Sequence, residues 1–387
     1  MSATFSKINA SAATLTKNRT EGSVVPAGSA GASGVRLVFV NGRFDAGASS
    51  PAPLPRGVTI MNLGDAFAGM SELVRPALGS SAAHERNAFA ALNTAFLADG
   101  AFVHVAAGVE LEAPVEVDYH SAAAGGRTVS HPRTLLVVER MARATVVETY
   151  SGEGAYWVNA LTEVVVADGA RADLYRVQRD DASAFHVAST HTRQGRDSVV
   201  NVHPVAFGAA LTRHDITAVL DGEGARCLVN GLYLGQGAQH IDHHTVIDHA
   251  KPHCASHEYF NGVLDDRSHG VFAGRIIVRE GAQRTDSKQT NNNLLLSAEA
   301  RADSQPQLEI YADDVKCTHG ATLGPIDPKA LFYLESRGLD RGEARAMLTY
   351  GFGAEVLGRM DIAPLRQELD EIVRRRLLGP ASRILVS

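Results

Sequence analysis

The sequence predicts a mainly β protein in which a β-helix core lies between an N-terminal and a C-terminal helical region. The first observation is a long block, residues 101–324, of short runs rich in Val, Ile and Thr with almost no helical period. The second is a recurring small turn, built on Gly-Ala pairs that begin at Gly169, Gly208, Gly224, Gly237 and Gly281. The third is the helical periodicity on both sides of the block. Such a block is too long for one simple sandwich and is typical of a solenoid of stacked coils.

A large sandwich or jelly roll is the alternative fold, because the turns recur at irregular spacing and form no strict repeat. The Asn run 291–293 suits a solenoid, since Asn tolerates left-handed turn conformations and its amide can stack between coils. The predicted regions are a disordered tail (1–35), an N-terminal α/β region that is mainly helical (36–100), the β-helix core (101–324) and a C-terminal helical region (325–387).

The tail is rich in Ser, Ala, Thr and Gly and contains a single acidic residue, Glu21. It has no apolar segment of the kind found in secretory signal peptides. The composition would suit an organelle transit peptide, but it favours a plain disordered tail. The next region opens with the strand-like run 36–44 and continues with a helical pattern over 84–100, which Gly100 ends.

Helix signals return at the end of the chain. Asp327 and Pro328 have the identities expected at an N-cap and at the first helical position. Asp340 and Glu343 have the spacing of a capping box, in its Asp variant. The last helix, about 364–378, carries an apolar stripe formed by Leu365, Leu369, Ile372 and Val373. These helices either cap the solenoid or offer a surface to a partner, and the two roles are compatible.

Composition argues against several classes of function. The 387 residues are 45% apolar and 21% charged, with a formal charge of −6, as in an ordinary soluble globular protein. A basic cluster at 374–376 falls in the last turn of a predicted helix, where cations favour the helix dipole, so nucleic acid is not an expected partner. No apolar run approaches the roughly 18 residues of a membrane span. Three cysteines in a chain of this length indicate a reducing compartment rather than a disulfide framework.

The segment ADDVKCTHGATLG, residues 312–324, contains a candidate for metal chemistry. If 315–320 is a strand, Cys317 and His319 project from the same face, because side chains two apart do so. Thiolate and imidazole are preferred by zinc, copper and iron–sulfur centres. Since a structural zinc site needs four ligands, the others would come from elsewhere in the chain or from a second subunit. An ordinary strand that carries a thiol and an imidazole stays open at this point, and a thiol hydrolase is disfavoured because no oxyanion-hole pattern accompanies the thiol.

A His-rich stretch, residues 240–257, is a second candidate. On a strand, Asp242 and His244 would share one face while His243 and His249 would share the other. Such a mixture is more typical of a solvated sheet face than of a metal site.

Paired carboxylates occur at 180–181, 265–266 and 313–314. Two carboxylates are the catalytic groups of many polysaccharide-degrading enzymes, so a carbohydrate-active enzyme is an alternative function. Adjacent residues on a strand point to opposite faces, however, and such pairs usually mark turns. Aromatic residues, which would line a sugar-binding groove, are only 6% of the chain.

Three motifs in residues 285–339 carry a family resemblance. They read T-D-x-x-Q-T-N-N-N-L-L, P-Q-L-E-I-x-A-D-D-V-K-C-x-H-G-A-T and F-Y-L-x-S-R-G. Over about 36–380 the chain resembles the SufB/SufD family of scaffold subunits of the SUF iron–sulfur cluster assembly system. Its C-x-H-G-A-T is similar to the SufD branch, because SufB proteins do not carry that motif at this place. The tail before Arg36 departs from the pattern, since it has no E-x-W-[KR]-Y-T-like segment.

The resemblance implies a right-handed parallel β-helix and a place in a complex. A SufB-like subunit would bind through the β-helix to form a heterodimer, and a SufC-like ATPase would bind the C-terminal helical region. The candidate partner-binding residues of that region are Leu331, Leu334, Leu348 and Phe352. Closure of the ATPase on ATP hydrolysis would then move the helical regions and expose interface residues.

The resemblance also implies that a nascent iron–sulfur cluster is handled transiently at the SufB–SufD interface, and that this chain alone holds no permanent cofactor. His319 would be the cluster or metal ligand from this side, and Cys317 a nearby thiol of the same site. The expected function is a non-catalytic scaffold subunit in the bacterial cytoplasm, or in an organelle stroma if the tail is a transit peptide. A stand-alone homodimeric scaffold and a β-helix carbohydrate-active enzyme are the alternatives.

Overall fold

The computed structural model describes residues 34–81, 87–123 and 128–378, so nearly all of the predicted tail lies outside the described residues. The strands are β1 (Arg36–Val40), β2 (Arg43–Phe44), β3 (Val58–Asn62), β4 (Gly100–Val105), β5 (Val115–Ala122), β6 (Thr128–Ser130), β7 (Arg133–Val138), β8 (Arg143–Glu153), β9 (Tyr156–Val166), β10 (Arg171–Arg179), β11 (Phe185–Gln194), β12 (Val199–Ala206), β13 (Leu211–Leu220), β14 (Arg226–Gly235), β15 (His240–His249), β16 (Ala255–Leu264), β17 (His269–Val278), β18 (Asp286–Leu295), β19 (Arg301–Ile310) and β20 (Lys316–Gly324). The helices are α1 (Leu63–Gly69), α2 (Ser71–Ala77), α3 (Ala88–Ala95), α4 (Pro328–Glu335), α5 (Arg341–Leu357) and α6 (Ala363–Leu378). None of these helices is both long enough and apolar enough to cross a membrane.

The strands form two sheets, and from β7 onward consecutive strands alternate between them. The first sheet has the order β2-β1-β5-β8-β10-β12-β14-β16-β18-β20, and the second has the order β19-β17-β15-β13-β11-β9-β7-β4-β3, with β6 beside β9. Neighbouring coils stack in parallel and in register, since Arg171 pairs with Val199 and Val199 pairs with Arg226. This arrangement is a β-solenoid, so the prediction of a β-helix core is confirmed and the sandwich alternative is wrong.

Alternation along each strand explains the interior of the solenoid. In β13 every second residue is fully buried, which is the period of a strand that turns one face to the core. Its Ile216 and Ala218 pack with Val200 and Val202 of β12 in one continuous apolar cluster. Each coil thereby buries its apolar face against the next coil, as expected for a solenoid.

The small turns that separate the strands depend on left-handed backbone conformations. Gly169, Gly224 and Gly237 have φ of +65°, +73° and +60°, values that glycine adopts without strain. Gly208 serves another purpose, because a Cβ there would lie 2.1 Å from the carbonyl oxygen of Asp180. The Gly-Ala pairs seen in the sequence therefore mark turns and close approaches between coils.

The two sheets begin before residue 101. β1 pairs in parallel with β5, and β3 pairs antiparallel with β4, so part of the predicted region 36–100 belongs to the first coils. Its helices α1 and α2 pack on the second sheet through an apolar cluster that includes Leu63, Val74 and Phe102. The helix predicted over 84–100 is shorter in the described residues, because β4 already begins at Gly100.

A buried ion pair ties these N-terminal segments to the second sheet. The side chains of Arg133 on β7 and Glu163 on β9 are completely buried and hydrogen bonded to each other. Arg133 also donates to Thr94 in α3 at 2.9 Å, and Glu163 accepts from the backbone N–H of Gly79, just after α2, at 2.9 Å. Burial acts to raise the pKa of Glu163, but the Arg133 guanidinium outweighs it and holds the pKa below its ordinary value.

The C-terminal helices α5 and α6 lie along the outer face of the first sheet rather than over the end of the solenoid. The stripe residues Leu365, Leu369 and Val373 are fully buried, as the sequence predicts. They and the buried part of α5 pack on apolar side chains of β8, β10, β12, β14 and β16, which are neighbours in the first sheet. These side chains are Val147, Tyr175, Val177, Val205, Leu232, Leu234 and Val263, together with Phe207 just after β12. The amphipathic pattern of α6 thus arises because one face of this helix packs on a sheet.

The predicted starts of α4 and α5 are confirmed. The side chain of Asp327 accepts the backbone N–H of Lys329, and Pro328 is at the start of α4. Asp340 and Glu343 form a complete capping box at the start of α5. These caps satisfy backbone donors that have no partner inside the helix.

The Asn run 291–293 lies inside strand β18 and not in a turn, so that part of the interpretation is wrong. Asn291 and Asn293 point inward and form a closed hydrogen-bonded group with the Tyr233 hydroxyl. Asn292 points outward and bonds to Asn261 at 3.2 Å on the preceding coil and to Thr322 at 2.8 Å on the next. The expectation that amides link neighbouring coils is confirmed, but through strand side chains.

Candidate functional site

The two candidate ligands lie on β20, the last strand of the first sheet. Among the described residues, β20 pairs within its sheet only with β18. In that pairing Cys317 is opposite Ser287 and His319 is opposite Gln289. Paired residues of a parallel ladder point to the same face, and Ser287 and Gln289 are buried inside the solenoid. Cys317 and His319 therefore both face the interior side of the last coil.

The two side chains differ in exposure. Cys317 is half-buried and packs against the apolar core, whereas His319 is exposed. Burial, assisted by the nearby Asp286 carboxylate, raises the pKa of the Cys317 thiol. The thiol is therefore protonated at neutral pH, and a metal that binds its sulfur must displace the proton.

The candidate site is incomplete within one chain. Across residues 34–81, 87–123 and 128–378, no three His, Cys, Asp or Glu side chains converge as they would to hold a metal ion. Cys317 and His319 therefore form at most part of a ligand set, because a closed site of soft metals needs about four ligands. The sequence-based expectation that the remaining ligands come from a second subunit stays a prediction.

The edge of β20 presents backbone groups to a new strand. The N–H of Lys316 donates to the carbonyl oxygen of Thr285 in the preceding coil at 2.8 Å. Alternate residues of a parallel strand bond to opposite neighbours, so Cys317, His319 and Ala321 direct their N–H and C=O groups away from β18. No strand of the described chain pairs with these groups.

β19 is the corresponding last strand of the second sheet, so both sheets end at the same coil. We refer to β19 and β20, with their unpaired edges, as the open end. Large apolar side chains are exposed on or next to these strands and on α4, namely Ile310, Tyr311, Leu323, Phe332 and Tyr333. Phe332 is 70% exposed. Long unpaired edges with exposed apolar groups are typical of surfaces that bind another chain.

The polar interior behind the open end was not among the sequence-based predictions. Glu258 on β16 and Gln289 on β18 share the register position of His319, and they are only 2% and 1% exposed. The Gln289 amide Nε2 donates to Glu258 Oε2 at 2.6 Å. Beside them the Ser256 and Ser287 hydroxyls are hydrogen bonded at 2.9 Å. One available signal was the polar alternation in T-D-x-x-Q-T-N-N-N, which in a solenoid places polar groups inward.

Glu258→Gln is expected to remove a pH dependence of folding stability. Burial raises the pKa of Glu258 from 4.5 to about 7, against the opposing effect of its hydrogen bonds. A carboxyl whose pKa is raised by folding binds its proton more tightly in the folded state. Its contribution to the unfolding free energy is complete at pH values below the pKa of the unfolded state, and it is lost as the pH rises through the pKa of the folded state. As the pH rises from about 4.5 to above about 7, the unfolding free energy of the wild type should therefore fall by about 3 kcal/mol more than that of Glu258→Gln.

Urea unfolding of both proteins at pH 5 and pH 8 measures this difference. The matched control is Glu280→Gln, which alters an exposed carboxylate at a turn and should leave the difference between the two pH values unchanged. Equal pH dependence in the wild type and Glu258→Gln would show that the Glu258 carboxyl is hydrated in solution.

Residues 240–249 of the His-rich stretch form β15, residues 255–257 begin β16, and the two faces of β15 separate as predicted. On the outer face Asp242 pairs with Arg213 at 2.7 Å and with His244 at 2.9 Å. On the inner face His243 and His249 are fully buried, and burial lowers the pKa of each to about 4. The outer groups contact one another on the sheet surface, which agrees with the predicted solvated face, whereas the inner imidazoles are neutral and buried in the interior.

The paired carboxylates lie where strands end, as predicted. The pairs at 265–266 and 313–314 follow β16 and β19. Asp180 is different, because it is buried and bonds to His186 at 2.8 Å and to the Tyr156 hydroxyl at 2.8 Å. Burial acts to raise the pKa of Asp180, but the contact with His186 and the hydrogen bonds from Tyr156 and Gln178 hold it below its ordinary value. Asp180 is therefore a structural residue of the interior.

The predicted partner-binding residues occupy different environments. Leu331 and Leu334 on α4 and Leu348 on α5 are half-buried. Phe352 packs partly against the first sheet, and its carbonyl oxygen accepts the Asn261 amide at 2.8 Å. Phe352 thus has a structural role, and contact of these residues with a partner stays a prediction.

Comparison with known proteins identifies the family of this solenoid. Residues 120–352 match the model of the "SUF system FeS cluster assembly, SufBD core domain", and residues 32–117 match that of the "SufBD protein N-terminal region". The chain is 32% identical over 353 residues to an iron–sulfur cluster assembly SufBD family protein of Synechocystis, which covers 89% of this chain and 78% of that protein.

It is also 30% identical over 351 residues to the iron–sulfur cluster assembly protein SufD of Escherichia coli, which covers 90% of this chain and 80% of that protein. A chloroplastic protein of Arabidopsis thaliana, ABCI7, is 31% identical over 277 residues, covering 69% of this chain and 58% of that protein. The solenoid and these matches define an iron–sulfur cluster assembly protein. The chain belongs to the SufBD family, and it is SufD-like.

Proposed function

We propose that this chain is a non-catalytic scaffold subunit that joins a SufB-like subunit through its open end and a SufC-like ATPase through its C-terminal helical region. The observation that carries the proposal is that the two candidate ligands lie on an unpaired strand edge. A partner strand added to β20 would bring its own side chains beside Cys317 and His319. We place the complex in the bacterial cytoplasm, since Cys227, Cys254 and Cys317 are all free thiols.

The open end suits a partner that has the same fold. Because β19 and β20 end both sheets at one coil, a second solenoid could continue both sheets at once. Backbone hydrogen bonds along two edges would supply affinity, and the partner's side chains would complete the ligand set. A second copy of this chain could use the same edges, so a homodimer is the competing arrangement that an experiment must distinguish.

In this proposal the iron–sulfur cluster is cargo that is handled transiently at the shared site. His319 is the ligand from this chain, since its imidazole is exposed at the open end. Cys317 is a nearby thiol, which is half-buried and has a raised pKa, so it binds metal only after losing a proton. No residue of this chain is assigned acid–base chemistry.

The C-terminal helices would couple the ATPase to the solenoid. α6 is buried on the first sheet through Leu365 and Leu369, and Arg171 on β10 pairs with Asp361 just before α6 at 3.3 Å. Arg179 forms a second ion pair with Glu368 of α6. A movement that the ATPase imposes on α5 and α6 would therefore be transmitted to the sheet that ends in β20.

His319→Ala is expected to reduce the iron and sulfide retained by the assembled complex by at least about tenfold, since even residues that only support a ligand affect metal affinity by about 10- to 100-fold. The chain is co-expressed with its SufB-like and SufC-like partners, purified without oxygen, and assayed for iron, sulfide and subunit composition. The matched control is His257→Ala, which removes an exposed imidazole from the outer face of β16 and should change nothing.

The outcomes separate the alternatives. Wild-type cluster content in His319→Ala would eliminate His319 as a ligand. A stable homodimer that excludes the SufB-like subunit would support the stand-alone scaffold. Glycan cleavage by the purified chain alone would support the carbohydrate-active enzyme.

A further inference from the structure

A ladder of three polar residues runs from the interior of the solenoid to the open end. Glu258, Gln289 and His319 occupy the same register position on the successive strands β16, β18 and β20. Neighbouring strands are about 4.8 Å apart, and paired residues point to the same face. His319 therefore lies on the same face as Gln289, one strand further along the sheet, and Gln289 is the residue between His319 and the buried carboxyl of Glu258.

The orientation of the Gln289 amide is fixed by Glu258. Its Nε2 donates to Glu258 Oε2 at 2.6 Å, and only the NH₂ end of an amide can donate to a carboxylate oxygen. The carbonyl Oε1 is buried and has no hydrogen-bond partner among the described residues. A buried acceptor without a donor is unfavourable, so this oxygen favours a conformation in which a neighbouring donor reaches it.

The opposite sheet leaves space for the Gln289 side chain. Gly274 is on β17, and a Cβ at that position would lie 2.2 Å from Gln289 Nε2 and 2.6 Å from Gln289 Cδ. Glycine inside a strand often marks such a close approach. The amide is thus hydrogen bonded to Glu258 on one side, and on the other side it occupies the space that the missing side chain of Gly274 leaves open.

We infer that Gln289 is a positioning residue for His319: when the exposed imidazole turns inward, the carbonyl Oε1 of Gln289 accepts the N–H of one ring nitrogen, so that the other nitrogen presents its lone pair to the metal. A neutral imidazole carries one N–H and one lone pair, and the partner of the N–H decides which nitrogen is free to bind metal. The inference rests on the proposed role of His319 as a ligand. It adds that the ligand is oriented from inside this chain before any partner binds.

The first measurement uses the isolated full-length chain with ¹⁵N-labelled histidine. Long-range ¹H–¹⁵N spectra report which ring nitrogen carries the proton, and comparison with His319→Ala assigns the signals. The wild type is expected to show one tautomer of His319, and Gln289→Met, which has a similar size but no acceptor, is expected to show a mixture. Identical spectra in the two proteins would overturn the inference.

The second measurement uses the complex with SufB-like and SufC-like subunits and cobalt(II) as the metal probe. Gln289→Met is expected to weaken cobalt binding by about 10- to 100-fold. The double variant Gln289→Glu with Glu258→Gln exchanges the amide and the carboxyl, so it keeps their hydrogen bond and an acceptor beside His319 and should restore most of the affinity. Gly274→Ala leaves Gln289 in the sequence but displaces its amide, so it should weaken cobalt binding in the same direction. Thermal unfolding of each variant shows whether a loss of affinity merely follows a loss of fold.

Failure of this inference is distinguishable from failure of the proposed function. If His319→Ala binds cobalt as tightly as the wild type, His319 is not a ligand and the proposed function fails. If His319→Ala weakens cobalt binding but Gln289→Met and Gly274→Ala do not, His319 is a ligand and Gln289 does not position it.

Discussion

Replacing Ala321 with proline is expected to weaken the complex with a SufB-like subunit by about 100-fold while this chain remains folded. Ala321 is exposed on β20, and its N–H and C=O groups point away from β18. Proline has no N–H, and its ring occupies the space where a partner strand would approach. Proline is tolerated on an edge strand whose N–H faces solvent, so the internal ladder of β20 is preserved. A penalty of about 3 kcal/mol corresponds to about 100-fold in the dissociation constant.

Two matched variants control this experiment. Ala321→Val keeps the N–H and should bind the partner normally. Thr322→Pro acts on the neighbouring position, whose backbone groups bond to β18, so it should lower the melting temperature of the isolated chain. The dissociation constant is measured by titration calorimetry, and the fold is monitored by thermal unfolding. Normal binding by a folded Ala321→Pro protein would mean that the partner does not pair with β20.

Arg133→Met is expected to lower the free energy of unfolding by about 3–5 kcal/mol, because it removes the guanidinium that pairs with the buried Glu163 carboxylate. Both side chains are completely buried, and Arg133 also donates to the Thr94 hydroxyl at 2.9 Å, so the change also removes one of the hydrogen bonds that hold α3 to the second sheet. The pKa of Glu163, which Arg133 holds below its ordinary value, should rise in the variant. Urea unfolding monitored by circular dichroism measures the loss.

The double variant Arg133→Met with Glu163→Leu should recover much of that stability, since removing both charges leaves no uncompensated ion. The exposed pair of Arg143 and Glu110, 3.1 Å apart, provides a surface comparison. Arg143→Met should cost less than about 1 kcal/mol. A cost for Arg133→Met as small as that of Arg143→Met would contradict the completely buried geometry.

The parts of the fold that depend on local chemistry are readable from the sequence. Period-2 runs predict the strands, and the identities of Asp327, Pro328 and Asp340 predict the helix starts. The shared face of Cys317 and His319 also follows from their spacing alone. In each case the physical cause acts within a few residues, so no knowledge of the fold is needed.

Features that depend on the stacking of coils are not readable in this way. Glu258 and Gln289 are 31 residues apart, whereas Asp173 and Asn201, which are also paired across coils, are 28 residues apart. Because coil lengths vary with the turns, the sequence does not show which side chains stand above one another. The ladder that ends at His319 therefore becomes visible only when the register is known.

The pairing of Arg133 with Glu163 was missed for the same reason, since the two residues are 30 apart and belong to different strands. The amphipathic stripe of α6 correctly predicted a buried face, but a stripe does not specify what covers it. Its partner proved to be the outer face of the first sheet. Asn tolerates left-handed turn conformations, but tertiary packing around Tyr233 overrides that tendency and keeps the run 291–293 inside β18.

Helices α5 and α6 contact five neighbouring strands of the first sheet, which are β8, β10, β12, β14 and β16. This contact affects the order in which the molecule unfolds. A solenoid held together only by contacts between adjacent coils frays one coil at a time from its ends. The helix pair fastens the middle coils to one another, so they open as one cooperative block. β19 and β20 lie beyond that block, so we expect them to have a lower free energy of local opening than the middle coils. The last coil can therefore rearrange to accept a neighbour without loosening the rest of the solenoid.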